Sequence, residues 1–463
     1  MGVAGERFVV AGGSIGGMAS ALALARLGAD VTMVERDVVA EVAGPEEAFA
    51  LERPGVPQSH FLHAFLARMV QEMQARFPDV LDDLLEAGAQ LTRPPVEGLE
   101  DVAMLLARRS TVEWVMRRAI GAERGVEVRP GRKVIGVDAD GAHVVGARLD
   151  DGSRIPGSVV AATGRRPDIG AWLAPAGITV AEELVESALV YITRWYRAPG
   201  FTMEANGLLK DLGYMSYLVV PADADTLAVA VGLPPDDREL RACLLDDGGF
   251  DRVASMLPGL ADGMRDPAVR PLRSSEPMAG LVNRLRHFTD ASGRPVVTGF
   301  HAVGDAHTCT NPAYGRGCSL AFVMAGLLAD AVAAHPADAV ARAGAYEASC
   351  RDQVEPWFHS AVMMDQARLA MRQGDSGEKG PSTAGQPDVL AVLVAAGAGL
   401  IDDPVVIGGF ARLLHLLVTP QQLFSDPEFA GRLLQLVANP PEIPAGRSGP
   451  SREDLLQAAS SAA

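Results

Sequence analysis

With 463 residues, 48% of them apolar, the chain is too long for one simple core and too hydrophobic to be mainly disordered. A formal charge of −17 argues against nucleic-acid partners, which need a basic face. The four cysteines, Cys243, Cys309, Cys318 and Cys350, form neither a C-x-x-C pair nor a Cys/His cluster, so no metal site is expected, and scattered thiols fit a reducing cytoplasm.

In chain order, residues 7–12 read as a buried strand, 18–29 as a helix and 30–37 as a second strand, a βαβ unit. The glycine spacing and the acidic residue that follows set this segment apart from a signal peptide. The turn has the frame Gly12-x-Ser14-x-x-Gly17, with Ile15 opening the helix. Its first glycine makes the turn, the second position normally lets backbone approach a pyrophosphate, and the third lets helix pack on strand. Serine at the second position departs from the fingerprint, but it is small and its hydroxyl can bond phosphate. Glu35 ends the second strand, where a carboxylate accepts bonds from ribose hydroxyls; Arg36 follows it. A dinucleotide site is therefore expected, and the motif occurs once.

Residues 38–60 read as a polar connection, 61–77 and 79–87 as helices, and 108–120 as a helix with Val112, Val115, Met116 and Ile120 on one side. Three short strands follow near 125–149, then a strand ending in the turn Thr163-Gly164. From about 186 to 289 the chain is β-rich and predicts a second, mainly antiparallel sheet, a natural wall for a substrate. There Tyr191, Thr193, Trp195 and Arg197 share one face, and Val190, Ile192, Arg194 and Tyr196 the other. Residues 294–305 return as a strand, 315–372 are helical, 373–387 form a linker, 388–440 a helical appendix and 441–463 a loose tail. The expected architecture is α/β: a discontinuous Rossmann-like domain (1–185 with 290–372) and an inserted sheet domain (186–289). No apolar run is long enough to predict a membrane span.

The returning strand ends in Gly304-Asp305, followed by Pro312, Gly315, Arg316 and Gly317. If the nucleotide is FAD, its ADP half lies on the first unit and something else must hold the ribityl chain and flavin. Asp305 can accept from ribityl hydroxyls. Pro312 fixes the turn, and Gly315 and Gly317 bring helix-start N–H groups to the pyrimidine edge, where they favour negative charge. Other candidates are less specific. Gln58, His60 and His63 lie in one loop, and His307 follows Asp305; each histidine is either a proton carrier or a packed polar residue. Tyr191, Thr193, Trp195 and Tyr314 are candidates for a substrate wall.

The motifs "VVAGGSIGG", "VTMVERD", "RRSTVEW", "ATGRR" and "GDAHTCTNPAYGRGCSLAF" together resemble the single-component FAD monooxygenase superfamily of the para-hydroxybenzoate hydroxylase fold. "RPGVPQSHFLHAFL", "SALVYITRWYRAP" and "NPAYGRGCSLAF" are most similar to a bacterial branch containing alkene epoxidases of polyether-antibiotic pathways. The resemblance implies FAD, O2 and a hydrophobic secondary metabolite, oxygenated through a flavin C4a-hydroperoxide by epoxidation or by aromatic hydroxylation. It also implies that Arg109 contacts the FAD phosphate or ribityl region. Where the superfamily carries Asp-Gly, this chain has Thr163-Gly164, so NAD(P)H is expected to reduce the flavin either directly or through a separate flavin reductase. The alternatives at this level are a flavoprotein reductase or dehydrogenase on the same scaffold, and a binding protein that has lost its flavin. A halogenase is disfavoured because Trp114, Trp172, Trp195 and Trp357 stand isolated, and a disulfide reductase because paired cysteines are missing. Oligomeric state is not legible.

Overall fold

The computed structural model describes residues 3–94, 96–165, 169–202, 209–375, 389, 392, 401–439 and 449–460, with side chains only to residue 369 in the helix Glu355–Asp375. At its centre is a five-stranded parallel sheet in the order Phe300–Ala302, Ser158–Ala161, Arg7–Ala11, Asp30–Glu35, Val126–Pro130. The strand Arg7–Ala11 is apolar on both faces because both are covered. Phe8 and Val10 pack with the helices Ile15–Arg26 and Gly317–Ala334. Val9 and Ala11 pack with an antiparallel sheet made of Val134–Asp140, His143–Leu149 and Arg154–Pro156. Continuous apolar runs are the signature of such doubly covered parallel strands.

The second sheet is antiparallel, in the order Leu209–Asp211, Ser216–Ala222, Thr226–Leu233, Val190–Arg197, Arg270–Pro271, with Glu276–Met278 also paired to Val190–Arg197. Its alternation decides its orientation. Val190, Ile192, Tyr196, Leu227, Val229 and Val231 bury against the helices Arg238–Leu245 and Asp247–Ala254. Trp195, Ala222 and Ala228 face Phe49 and Leu62 of the first unit. The chain leaves for this sheet along Ala181–Glu186 and returns along Val282–His287, and these two strands pair with each other; Thr308–Cys309 adds a third.

Several boundaries differ from expectation. The connection 38–60 contains a helix, Pro45–Ala50, started by Pro45 with two acidic residues in its first turn. The helix expected over 61–77 is only Ala67–Arg76, because Phe65 is drawn into a bridge with Leu105. The returning strand is three residues long, and Gly304–Ala306 and Pro312–Tyr314 are single 3-10 turns before the helix. Gly317–Ala334, with mean hydropathy 1.8, is after all long and apolar enough to cross a membrane; here it is the mostly buried central helix of the first unit.

The linker falls almost wholly outside the described residues. In the appendix, Pro404–Leu414, Pro420–Ser425 and Pro427–Ala438 are helices whose Val406, Leu413 and Phe429 join the first core. The tail corrects the sequence reading. Within it Arg452–Ser460 is a helix whose Leu455 and Ala459 bury against the second sheet's helices, and Arg452 grips Asp237 at 2.9 and 2.7 Å. The small apolar stripe that does this is masked in the sequence by the Pro, Ser and Ala around it.

Candidate functional site

The glycine turn closes as the fingerprint requires. Gly12 has φ +110°, and a Cβ on Gly17 would stand 1.8 Å from the Gly12 carbonyl oxygen, so no other residue lets this helix start so close to the strand. Glu35 is buried and does not wait free. Its Oε2 accepts the Gly13 N–H at 2.6 Å and its Oε1 the Asp37 N–H at 2.8 Å, which fixes the carboxylate beside the turn with lone pairs to spare. Ser14 does not cap the helix it precedes. Its hydroxyl donates to Glu113 Oε1 at 2.8 Å and accepts from Arg109 Nη2 at 2.8 Å. The first-turn N–H groups at Ile15 and beyond are therefore left without a side-chain cap, the arrangement that receives anions.

A buried charge cluster surrounds this helix start. The helix Arg109–Ala122 brings Arg109 and Glu113 onto one face, with Arg109 Nε donating to Glu113 Oε1 at 3.0 Å. From the loop, Arg53 donates through Nη1 to Glu113 Oε2 at 2.6 Å and through Nε to Asp37 at 3.0 Å. Arg117 adds a longer contact at 3.4 Å. Burial alone would raise the Glu113 carboxyl, but Arg109, Arg53 and Arg117 overcome it and hold it down to about 2. Sequence reading found Arg109 and missed Arg53, Asp37 and Glu113. Glu113 looked like an ordinary helix-surface glutamate, and two of its partners, Arg53 and Ser14, lie 60 and 99 residues away in the chain.

A second uncapped helix start lies alongside. Gly317–Ala334 packs on Ile15–Arg26, with Ala321 facing Gly16, and Arg109 Nη1 reaches Cys318 Sγ at 3.9 Å. Asp305 sits at the mouth. Its carboxylate has no hydrogen-bond partner among the described residues, and a Cβ on Gly317 would stand 3.6 Å from its Oδ1. Burial raises its pKa against the opposing pull of Arg165, Arg109 and Arg284. The Thr163 hydroxyl, beside the glycine turn, is likewise buried with no partner, next to Gly164 at φ +72°. A half-buried carboxylate and a buried hydroxyl that bond nothing among the described residues, beside two uncapped helix starts and a set of arginines, fit an extended dinucleotide whose hydroxyls and pyrophosphate would supply the missing partners.

The turn 311–316 is locked from behind. Asp365, fully buried, accepts from Asn283 Nδ2 (2.8 Å), Asn311 Nδ2 (2.7 Å) and the Tyr314 hydroxyl (2.7 Å), and pairs with Arg368 at 3.0 Å. Burial and then Asp365 push the Tyr314 hydroxyl far above its ordinary pKa. Tyr191 of the second sheet is near enough to add to that shift, so two of the expected wall residues come together. The others are committed elsewhere. Trp195 donates its Nε1–H to the His60 carbonyl at 2.6 Å and packs edge-on against Phe49, and Thr193 is buried in the sheet.

The remaining candidates separate clearly. His63 is at the site: Arg109 Nη1 donates to its Nε2 at 2.8 Å, so the other nitrogen, Nδ1–H, donates to the Phe61 carbonyl at 2.9 Å. Burial and Arg109 push its pKa down to about 3, so it carries no proton for catalysis near neutrality. His60 is buried, with Nε2 against the Phe49 carbonyl and Nδ1 against Ser59 Oγ, and burial with Arg273 lowers its pKa. His307 lies under the turn against Thr308 and Glu347. Arg316 points away from the helix start, bonded to the Trp357 carbonyl and Ser360 and stacked over Tyr314 and Trp357; burial lowers its pKa to about 10. Arg36 is at the surface on the Pro54 carbonyl, Gln58 is half-buried in the loop, and Pro312 is exposed at the turn ahead of Gly315. Burial raises the Cys318 thiol to about 11, so it stays protonated.

Comparison with known proteins places the fold. No protein-family model matches the chain. Among curated proteins it is similar to the protein Rv3254 of Mycobacterium tuberculosis (strain ATCC 25618 / H37Rv), 26% identical over 365 residues, 71% of this chain and 73% of that one. Among solved structures it superposes on PqsL of Pseudomonas aeruginosa, a probable FAD-dependent monooxygenase, with TM-score 0.57, 17% identity and coverage of 80% and 98%. It superposes on the p-nitrophenol 4-monooxygenase PnpA of Pseudomonas putida DLL-E4 with TM-score 0.60, 17% identity and coverage of 89% and 99%.

Proposed function

We propose that this chain, which has the fold of the FAD-dependent monooxygenases, binds FAD and uses it to insert one oxygen atom from O2 into a hydrophobic small molecule. The observation that carries the proposal is Asp305: a half-buried carboxylate without a hydrogen-bond partner among the described residues, set against the helix start at Gly317. In this reading Glu35 and the Gly12–Gly17 turn receive the adenosine ribose and pyrophosphate. Arg109 and Arg53 face the phosphates, Asp305 and Thr163 take ribityl hydroxyls, and the Gly315–Gly317 backbone meets the flavin's pyrimidine edge. When bound, FAD supplies the activation of O2.

The chain's own part is orientation and exclusion of water. The sheet face bearing Tyr191, with Leu62 and Leu218, supplies an apolar wall. The acid–base candidates named above on that side are spent: His60 and Tyr314 are bonded into the protein, and His63 is neutral. A phenol needs a group to take its proton, whereas an alkene does not, so epoxidation of an apolar alkene is the favoured reaction. With Thr163 where the superfamily carries Asp, a separate flavin reductase drawing on NAD(P)H is the favoured electron source.

The test begins with the visible spectrum of the purified full-length protein. The expected result is oxidised flavin, released as FAD on denaturation, and loss of most of that flavin in Asp305→Ala. With reduced flavin supplied, 18O from O2 should enter an apolar alkene probe. A colourless protein that takes up no added FAD overturns the proposal at its first step. Bound FAD that reduces O2 only to peroxide across alkene and phenol panels turns it toward a reductase or dehydrogenase.

A further inference from the structure

Glu113 is a residue that the sequence gives little reason to notice and that the structure uses heavily. It is 2% exposed, and both of its oxygens are engaged. Oε1 accepts from Ser14 Oγ (2.8 Å) and Arg109 Nε (3.0 Å); Oε2 accepts from Arg53 Nη1 (2.6 Å) and Arg117 Nη1 (3.4 Å). These donors come from three separate segments: the glycine turn, the loop after Pro45–Ala50, and the helix Arg109–Ala122. One carboxylate therefore gathers them around the start of the dinucleotide helix. It also takes the Ser14 hydroxyl away from the capping role that a serine at that position normally fills.

The arginines it holds are not saturated. An arginine has five N–H donors, and the bonds of Arg53 to Asp37 and Glu113 use two. Its Nη2 is buried, makes no hydrogen bond, and lies 3.6 Å from Glu35 Oε2. Resting on the FAD reading above, we infer that Glu113 is the positioning residue of the pyrophosphate site. Its carboxylate orients Arg53 and Arg109 so that their spare N–H groups face the phosphates, and it holds Ser14 aside so that the helix N–H groups stay open.

Electrostatics and geometry predict opposite signs, which makes the inference testable. A negative charge near a phosphate repels it, so charge alone predicts tighter FAD binding when Glu113 is neutralised. Positioning predicts weaker binding, because the glutamine amide cannot bond both arginines and Ser14 as the carboxylate does. The experiment titrates full-length apoprotein with FAD and with riboflavin, which has the same ring and ribityl chain but no phosphate, following flavin fluorescence. For Glu113→Gln the expected result is FAD affinity lower by about tenfold to a hundredfold, the size of one or two charge-assisted hydrogen bonds. Riboflavin affinity should stay within about twofold on the same scale, and Glu113→Asp should recover part of the FAD loss.

Equal loss for both ligands would mean a general structural role, and unchanged or tighter FAD binding would mean that Glu113 is only a neighbouring charge; either outcome overturns the inference. If Glu113→Gln does not fold, Arg53→Gln must show the same phosphate-confined loss, and equal or absent loss there overturns it too. Wild-type apoprotein that binds neither ligand sinks the FAD reading itself, a result separate from all of these.

Discussion

His63 and His301 show how far a titratable side chain's role depends on partners that lie elsewhere in the chain. His63 is pinned between Arg109 and the Phe61 carbonyl; His301, 1% exposed, has neither ring nitrogen bonded. Burial, with Arg109 in one case and Arg342 in the other, lowers both to about 3. Unfolded, each imidazole takes up its proton near its ordinary pKa of about 6.5. The unfolded state then binds more protons than the folded state between those values, so stability is fully present above about pH 6.5 and falls as pH drops toward 3. Well below pH 6.5 the slope is ~1.4 kcal/mol per pH unit for each histidine. His301→Leu should therefore raise the urea midpoint more at pH 5 than at pH 8. An equal shift at both pH values would show that His301 is not held neutral. None of this was legible in "FHAVGD", where His301 reads only as a strand residue.

Among elements, the βαβ unit was readable because its information is local: an apolar run, a glycine frame and an acidic strand end within 30 residues. The alternation of the strand Val190–Arg197 was equally readable. Its faces came out as period two requires, although the sequence could not say that Trp195 would be spent on the His60 carbonyl. Contacts between elements were not readable. Arg108, fully buried, donates its backbone N–H (2.6 Å) and its guanidinium (3.0 and 2.6 Å) to Asp223 at the tip of a hairpin in the second sheet, and Thr111 adds 2.7 Å. The hairpin thus caps the helix that presents Arg109. Asp223→Ala leaves the Arg108 guanidinium with the half-exposed Glu46 at 3.0 Å as its carboxylate and the Phe49 ring beneath it. The expected cost is ~3–5 kcal/mol, as for a buried pair stripped of one partner, read by chemical denaturation. A cost below ~1 kcal/mol, the range of surface pairs, would mean that Glu46 and water replace Asp223.

For the whole molecule, the segments after residue 400 divide their allegiance. Pro404–Leu414 and its neighbours join the first core, where His415 Nδ1 accepts the Ala67 N–H at 3.2 Å, while Arg452–Ser460 seals the second sheet's helices. Deleting residues after 439 should uncover Leu240, Leu244 and Phe250 and destabilise the second unit while leaving FAD affinity within about twofold. Thermal unfolding should then split, with loss of sheet structure before flavin release. A single transition, with flavin lost at the same temperature, would show that the two units unfold as one. The site itself was partly legible. Glu35 and Arg109 lie beside the glycine turn, and Asp305 beside Gly317. Arg316 turned away because its guanidinium found a buried carbonyl and two rings to lie on, and Glu113, although inside the quoted "RRSTVEW", gave no sign of the partners it would gather.

The path of the chain also has a consequence for how the protein is made. The parallel sheet takes its edge strand, Phe300–Ala302, from the far side of the inserted sheet, well after Ser158–Ala161 has been synthesised. At ~5–20 residues per second, the nascent first unit waits on the order of ten seconds with that edge unpaired and without Asp305 or the helix start at Gly317. The inserted sheet, closed at its base by Ala181–Glu186 against Val282–His287, can pair its strands in that interval, while the helix Arg452–Ser460 that seals it comes only later. Vectorial synthesis thus favours an order in which the insert's strands pair first, and Asp305 and the helix start at Gly317 join the glycine turn only when the chain has come back to it.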